Sequence, residues 1–591
     1  MKIKRVFPLS TIALSLIGSS ITAHSLEFSM GDVETSVNST LTVSNLWSTQ
    51  SADKDFTYVS NGGTSIDPNY DNGRINYDTG TFSTKFAGSH ELFLRYKNYG
   101  AVVRGSYFYD TDVMDEDTRR ADLRSDEIDL VGKYAEIFDA FVYGHFDMGE
   151  TPISVRLGQQ TINWGEAFFT PGGINATNPL DLTKFHIPGS ELKEALLPIG
   201  ALWASTDITE DIALQAYYQY EWDQMRLDPN NSFFGIEDTL TPGSILSCLP
   251  GTITDTSISS GGTCISRTAD KTPTDTDQYG LKLTWLAEQL NSTEFSLYHM
   301  RYHSRLGAIS GTAGEVPNIA ITPLPTTYNV TAESLALPDS TYTVDYAEDI
   351  KMFGLGFNTT TNLGFTVQGE IALHKDKPVQ YSRSEIISSS AYTVVDACIL
   401  DPTMMTPCGL ANVTVPLRNI NSALSQGLSL RAPGEFSQGY AKLDVWQATT
   451  TLLSEFHNVL GGSNGIFVFE VTGTKVHNMS DDIGFAIYDA SGSSDVADHV
   501  GWGYKMLIEN EYILSQVKVT PSFAFFHDVN GTLPISVGPF IEESKQASLG
   551  VTVDYHDTVA VNLAYNTYWG AGTKNPQLDR DFVGLSVNYW Y

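Results

Sequence analysis

The stretch "LYHMRYH" sets His299 and His303 four residues apart, with Arg301 between them. On a helix that spacing would make a metal-ligand pair; on a strand the two imidazoles lie too far apart to share an ion. "GGSNG" at 461–465 matches the pattern that exposes a nucleophilic serine on a strand-to-helix elbow. Here it separates two apolar alternating runs and fits a turn between strands. "DPNYDNGRINYD" offers oxygens at Asp67, Asn69, Asp71 and Asp78 in the manner of a calcium loop. Its sixth residue is Asn72, where such loops need Gly, and its twelfth is Asp78, where they use Glu; a Gly-rich turn ahead of a strand is the competing reading. Cys248 with Cys264, and Cys398 with Cys408, form two local pairs inside long polar segments. They predict two loop-stapling disulfides in an oxidising compartment, since neither spacing suits zinc and no His is close. No ATP site, cofactor motif or catalytic constellation emerges. The expectation is a chain with no cofactor and no resident metal that is not an enzyme.

The remaining chemistry is charge. Arg95, Lys97, Arg104 and Arg156 stand opposite large apolar residues in alternating runs, and so do Glu221, Lys505, Glu509 and Glu511. His299 and Arg301 share one face of another such run. If these runs form the wall of a barrel, these ten residues are its lumen lining. A basic arc of arginines facing an acidic arc would set a transverse field across the bore; a merely polar, solvated lumen is the plainer alternative.

The alternation itself is widespread. "ELFLRYKNYG" separates Leu92, Leu94 and Tyr96 from Glu91 and Arg95, and "GYKMLIENEY" separates Tyr504, Met506 and Ile508 from Lys505 and Glu509. A period of two marks half-buried strands. Short connections such as "NYG", "DMGE" and "ITED" alternate with long polar ones such as 49–87, 225–276 and 375–435. An outer-membrane barrel shows this rhythm, with tight periplasmic turns and long external loops. The count is about eighteen strands, sixteen if one hairpin is over-read. The terminal "FVGLSVNYWY" puts Val583, Leu585, Val587 and Tyr589 on one face and ends on Tyr591. This is a closing strand with a lipid face and a girdle aromatic. The formal net charge of −34 excludes nucleic acid. Basic Lys2, Lys4 and Arg5 precede an apolar run and "AHS", so residues 1–25 read as a secretory signal peptide and 26–591 as a single barrel.

One long connection is unlike a surface loop. Segment 161–198 carries Trp164, Phe168, Phe169 and Phe185 beside Glu166, Asn175, Asn178, Asp181 and Lys184. Pro171, Gly172 and Gly173 force turns, and Ser190 could cap a short helix over "ELKEALL". That much apolar area needs burial, so the segment is expected to fold into the lumen and narrow it, with Arg95, Arg104 and Arg156 pairing its acids. An external cap resting on other loops is the alternative.

This segment, "FSMGDVETSVNSTLTVSNLW", "HELFLRYKNYGAVVRGSYFYD" and the terminal strand resemble the Gram-negative family catalogued as domain of unknown function thirteen-oh-two. The resemblance covers essentially the whole mature chain. It implies residence in the outer membrane among its lipids, and traffic in small, partly hydrophobic molecules or lipids. It also implies association with an RND-type transporter system and a periplasmic partner. A surface adhesion or scaffold barrel is the competing class, and an outer-membrane hydrolase a third.

Overall fold

The computed structural model describes residues 26–115, 121–149, 151–184, 196–248, 264–314, 340–383, 386, 434–481, 483–488, 494–534, 536–537 and 540–591. The signal peptide, the Cys398–Cys408 pair and the short helix after Ser190 lie outside the described residues.

Nineteen strands share one sheet. One of them, Leu26–Met30, is a short arm hydrogen-bonded only to the first long strand, which leaves eighteen in the barrel. The first group is β1 (Val33–Ser48), β2 (Gly80–Tyr96), β3 (Tyr99–Asp110), β4 (Lys133–Met148), β5 (Thr151–Gln160) and β6 (Ile199–Asp207). The second is β7 (Ile212–Gln219), β8 (Gln278–Ala287), β9 (Thr293–Tyr302), β10 (Ile350–Thr360), β11 (Phe365–Gln380) and β12 (Tyr440–His457). The third is β13 (Asn464–His477), β14 (Val500–Leu514), β15 (Val517–Asn530), β16 (Lys545–Tyr555), β17 (Val559–Trp569) and β18 (Phe582–Trp590). Each pairs antiparallel with the next, and β18 returns to β1 from Thr40↔Trp590 to Ser48↔Phe582. Closure satisfies every ladder group without water, which is what hydrocarbon surroundings require. Among the described residues no helix is long and apolar enough to cross a membrane; the crossing is made by strands.

Pleating explains the two surfaces. Leu157, Leu202, Leu297, Leu355, Leu549 and Leu563 are exposed on the outward face. Tyr96, Tyr99, Phe146, Tyr555, Tyr589 and Tyr591 cluster near the short turns, and Tyr107, Tyr109, Tyr218, Trp502 and Trp569 near the long loops. These are two aromatic girdles around an apolar band, which places the protein in the outer membrane of a Gram-negative cell. Tyr589 stacks on Tyr591, and Tyr591 exchanges two 3.1 Å backbone hydrogen bonds with Ser39. The Leu26–Met30 arm continues along the same edge of β1 just below that point.

The long loops build an external cap. Phe436–Ser437, Ala308–Thr312, Thr341–Asp345, Cys264–Arg267 and Leu246–Cys248 form a five-stranded sheet, stapled by the Cys248–Cys264 disulfide expected from the sequence. The acidic run 67–78 is part of this cap. Asp67 is ion-paired with Arg383 at 2.8 Å, Asn69 bonds both backbone groups of Cys248, and Asp71 accepts from Tyr58 N–H and Asn61. These protein partners make it a loop-locking turn. Phe233 stacks on Phe82 at 3.8 Å over the seam where β1 meets β18 and β2.

Candidate functional site

Residues 161–184 run inside the barrel, as the composition of that segment demands. Trp164 is buried and donates its indole N–H to Gln215 of β7 at 2.9 Å; its carbonyl accepts from the Tyr298 hydroxyl of β9. Ile174 is fully buried against Met352 and Gly354 of β10. Ile162, Trp164 and Ile174 thereby join wall residues Ile199, Tyr217, Tyr298, Met300 and Met352 in one core. Each large side chain so buried contributes roughly 1.5–3 kcal/mol.

Past Trp164 the segment is held by its backbone. Glu370 of β11 accepts from the N–H groups of Glu166 at 2.6 Å, Ala167 at 3.3 Å and Ile174 at 2.9 Å. Glu470 of β13 accepts from Phe168 at 2.6 Å, Phe169 at 3.1 Å and Thr170 at 2.8 Å. Gln447 of β12 sits between them, accepting from Gly173 N–H and donating to the Pro171 carbonyl. Gln368 of β11 donates to the Glu166 carbonyl, and Lys505 of β14 to that of Phe169. A loop turned this way exposes a run of peptide N–H donors that water cannot reach. Ionised acceptors are the strongest partners for them. Gly173 adopts a left-handed φ of 57°, and a Cβ there would collide with the Glu370 carboxylate. Glycine is required for both reasons.

The expected loop residues take definite places. Asn175 Oδ1 accepts from Gly165 N–H, while Asn178 accepts from Ile162 N–H and donates to the Leu197 carbonyl, so two amides fix the loop's own shape. Asp181 caps Thr183 and lies 3.8 Å from Arg226. Lys184 reaches Asp181 at 3.6 Å and stands over the Phe138 ring of β4. Glu166 is buried beside Asn358, 3.4 Å away. Burial pushes its carboxyl up to about 7; the Lys282 ammonium opposes the rise and Glu370 adds to it. Phe168 and Phe169 meet edge to face and stay partly exposed, with Phe169 5.4 Å from Phe526 of β15.

Several lumen expectations are corrected. His299 and Arg301 share the outward face with exposed Phe295 and Leu297; His299 stacks on outward Phe353 at 4.7 Å, and Arg301 bonds Asp349. Lys97 is not on the wall but in the short turn between β2 and β3, with a φ of 55°. Glu221 lies two residues beyond β7 and is exposed. Arg104, Arg156, Lys505, Glu509 and Glu511 do face inward, as the β3, β5 and β14 registers require. Arg95 faces inward at the periplasmic mouth and pairs with Glu34. The arginines do not pair with the loop's acids. Arg104 is neutralised by Asp139 at 2.7 Å and flanked by Glu91, while Arg156 lies over the Trp203 ring. The loop is anchored instead by acidic residues of β11 and β13, Glu370 and Glu470. Each is the one carboxylate in a mostly apolar run, "VQGEIAL" and "FVFEVTG". That oddity was the available signal.

The wall away from the loop is of another kind. On β16, β17, β18 and β1 the inward side chains are mostly amides and hydroxyls: Thr552 bonds Asn562, Asn562 bonds Ser586, and Thr42 bonds Asn588. Asp554 of β16 and Glu34 of β1 are the carboxylates on the same inward faces, both near the short turns.

A closed eighteen-stranded barrel with a lipid-facing band and one long loop clamped in its bore is a porin-like outer-membrane protein. The chain belongs to the family described as Protein of unknown function (DUF1302), which matches residues 6–590. No curated protein matches it significantly. Among solved structures, the chain is similar to Pseudomonas aeruginosa OpdL at 9% identity and a TM-score of 0.37, covering 95% of this chain and 99% of that one. It is similar to Acinetobacter baumannii OccAB1 at 8% identity and a TM-score of 0.39, covering 96% and 98%. A third likeness is to Pseudomonas aeruginosa OpdK with vanillate, at 9% identity and a TM-score of 0.36, covering 94% and 98%.

Proposed function

We propose that the protein is a channel for small, partly hydrophobic molecules, with its bore narrowed by segment 161–184 and no catalytic chemistry of its own. The observation that carries this reading is the clamp: six backbone N–H groups of the loop converge on two buried wall carboxylates, Glu370 and Glu470. A barrel of eighteen strands would otherwise enclose a wide aqueous channel. A constriction fixed to the wall selects by size and surface without a moving part. The surfaces that bound the remaining path are Phe168 and Phe169 on the loop and, at that depth, a wall of amides and hydroxyls on β16–β18 and β1. That pairing favours solutes with an apolar body and neutral polar groups. Passage is diffusive, with any driving force supplied by a periplasmic partner of the RND-type system that the family resemblance implies.

Planar-bilayer recording and liposome swelling test this. The expected result is a small, steady conductance, with neutral aromatic solutes entering faster than sugars or dicarboxylates of equal size. The disulfide-stapled external sheet favours a second reading, a surface scaffold. A correctly assembled barrel that conducts nothing and admits no solute would support the scaffold and end the channel reading.

A further inference from the structure

The outward face of β2–β5 holds a groove of about 500 Å³ near the short turns. Leu94 and Tyr96 form one bank, and Phe146 and Leu157 the other. The register Ala101↔Leu94, Val142↔Ala101 and Leu157↔Val142 places these side chains on the lipid side of the wall. The floor is low because Ala101 and Gly144 have almost no side chain. A Cβ on Gly144 would lie 2.9 Å from the Phe146 ring and 3.3 Å from that of Tyr99. Without one, Tyr99 and Phe146 meet edge to face at 5.8 Å and close the groove's end.

A charge stands at the mouth. Lys97, in the turn beside this groove, is exposed, with Nζ 5.0 Å from the Tyr96 ring. It is the one Lys or Arg in the short turns 97–98, 149–150, 208–211, 288–292, 361–364, 458–463, 515–516 and 556–558. The neighbouring cation, Arg95, points to the other side of the wall and is paired with Glu34 at 3.0 Å. In a chain of net charge −34, a lone turn cation at the lip of an apolar lipid-facing groove is a local reversal of sign.

We propose that this groove is a site for one phospholipid of the periplasmic leaflet with an anionic headgroup. An acyl chain lies between the two banks over Ala101 and Gly144, and the phosphate sits at Lys97. Tyr96 and Tyr99 stand at the depth where amphipathic rings prefer the interface. The periplasmic end of the barrel is the phospholipid side of this membrane, so the occupant is a phospholipid and not lipopolysaccharide.

Native mass spectrometry of the full-length, detergent-purified barrel tests it, titrating phosphatidylglycerol, phosphatidylethanolamine or lipopolysaccharide. One phosphatidylglycerol should be retained at least tenfold more tightly than phosphatidylethanolamine. Lys97→Glu should erase that preference, and Ala101→Phe, which fills the floor, should abolish retention in a barrel of unchanged heat-modifiable mobility. Equal retention of both phospholipids by the wild type would overturn the proposal. So would undiminished phosphatidylglycerol binding by Lys97→Glu, or lipopolysaccharide outcompeting phosphatidylglycerol. Lys97 lies in an exposed turn, so that arm stays decisive even if Ala101→Phe fails to assemble.

Discussion

Replacing Glu370 and Glu470 together by glutamine should release the tip of the constriction without disturbing the barrel. Glu370 uses both oxygens: Oε2 takes the Glu166 and Ala167 N–H groups, and Oε1 takes Ile174 N–H. Glu470 does the same for Phe168, Phe169 and Thr170. Glutamine keeps one acceptor oxygen and turns an NH₂ group toward peptide donors at the other. At least one buried N–H per site is then left without an acceptor, which costs about 1–3 kcal/mol. The surviving bonds fall from charge-assisted strength, about 1.5–3 kcal/mol each, toward the neutral value of about 1. A loss of about 2–7 kcal/mol per site follows from these ranges. Against this stands the burial of Trp164 and Ile174, roughly 1.5–3 kcal/mol each, which neither substitution touches. Glu470→Gln alone should therefore free only the Phe168–Thr170 tip, while the double variant should unseat residues 166–174. Single-channel conductance should rise modestly and become noisy in the first, and rise severalfold with entry of bulky antibiotics in the second. Heat-modifiable mobility confirms assembly in both. A correctly assembled double variant with wild-type conductance and noise would refute the view that these carboxylates hold the constriction.

Glu166 makes the same loop sensitive to pH. Its carboxyl titrates near 7 in the docked loop against an ordinary value of 4.5, so docking favours the protonated form. Docking is therefore strongest below about pH 4.5, weakens as pH rises toward 7, and is flat above, by on the order of 3 kcal/mol in all. Channel noise should grow from pH 5 to pH 8 in the wild type and lose its pH dependence in Glu166→Gln. Cys248→Ser should loosen the external sheet by about 3 kcal/mol, the value for a loop of this length, and leave barrel mobility unchanged; hydrogen exchange of residues 246–248 and 264–267 reads it. Deleting Tyr591 removes both hydrogen bonds to Ser39 and a girdle aromatic, so the yield of assembled barrel in outer-membrane fractions should fall. His299→Ala with Arg301→Ala, both outward, should leave conductance as it is; a change would return those residues to the lumen.

The barrel was legible because its signals are local. Alternation, turn length and the closing strand each report on a few neighbouring residues, and their agreement is what a closed sheet demands. The phase of β9 was not legible, for a physical reason. Polarity marks the inward face only where the lumen is wet. At "LYHMRYH" the inward Tyr298, Met300 and Tyr302 are packed in the core that the loop completes, so the apolar side faces in and His299 and Arg301 face out. Phe168 and Glu166 announced that the loop needs an interior. Its partners could not be read from the chain, because Glu370 and Glu470 stand on strands whose distance from the loop only the closed barrel sets.

The clamp also orders events in time. Glu370 lies 204 residues beyond Glu166, and Glu470 302 beyond Phe168, while Thr42 waits for Asn588 across a separation of 546. Contacts that span so much chain form late, since loop closure must precede any return from them. Segment 161–184 is made before the strands that will hold it, and it must stay unseated until β13 arrives. Once β18 has met β1, a continuous wall surrounds the segment that both carboxylates hold. Setting the constriction is thus tied to the arrival of β11 and β13, far along the chain, and not to β5 and β6 that flank the loop.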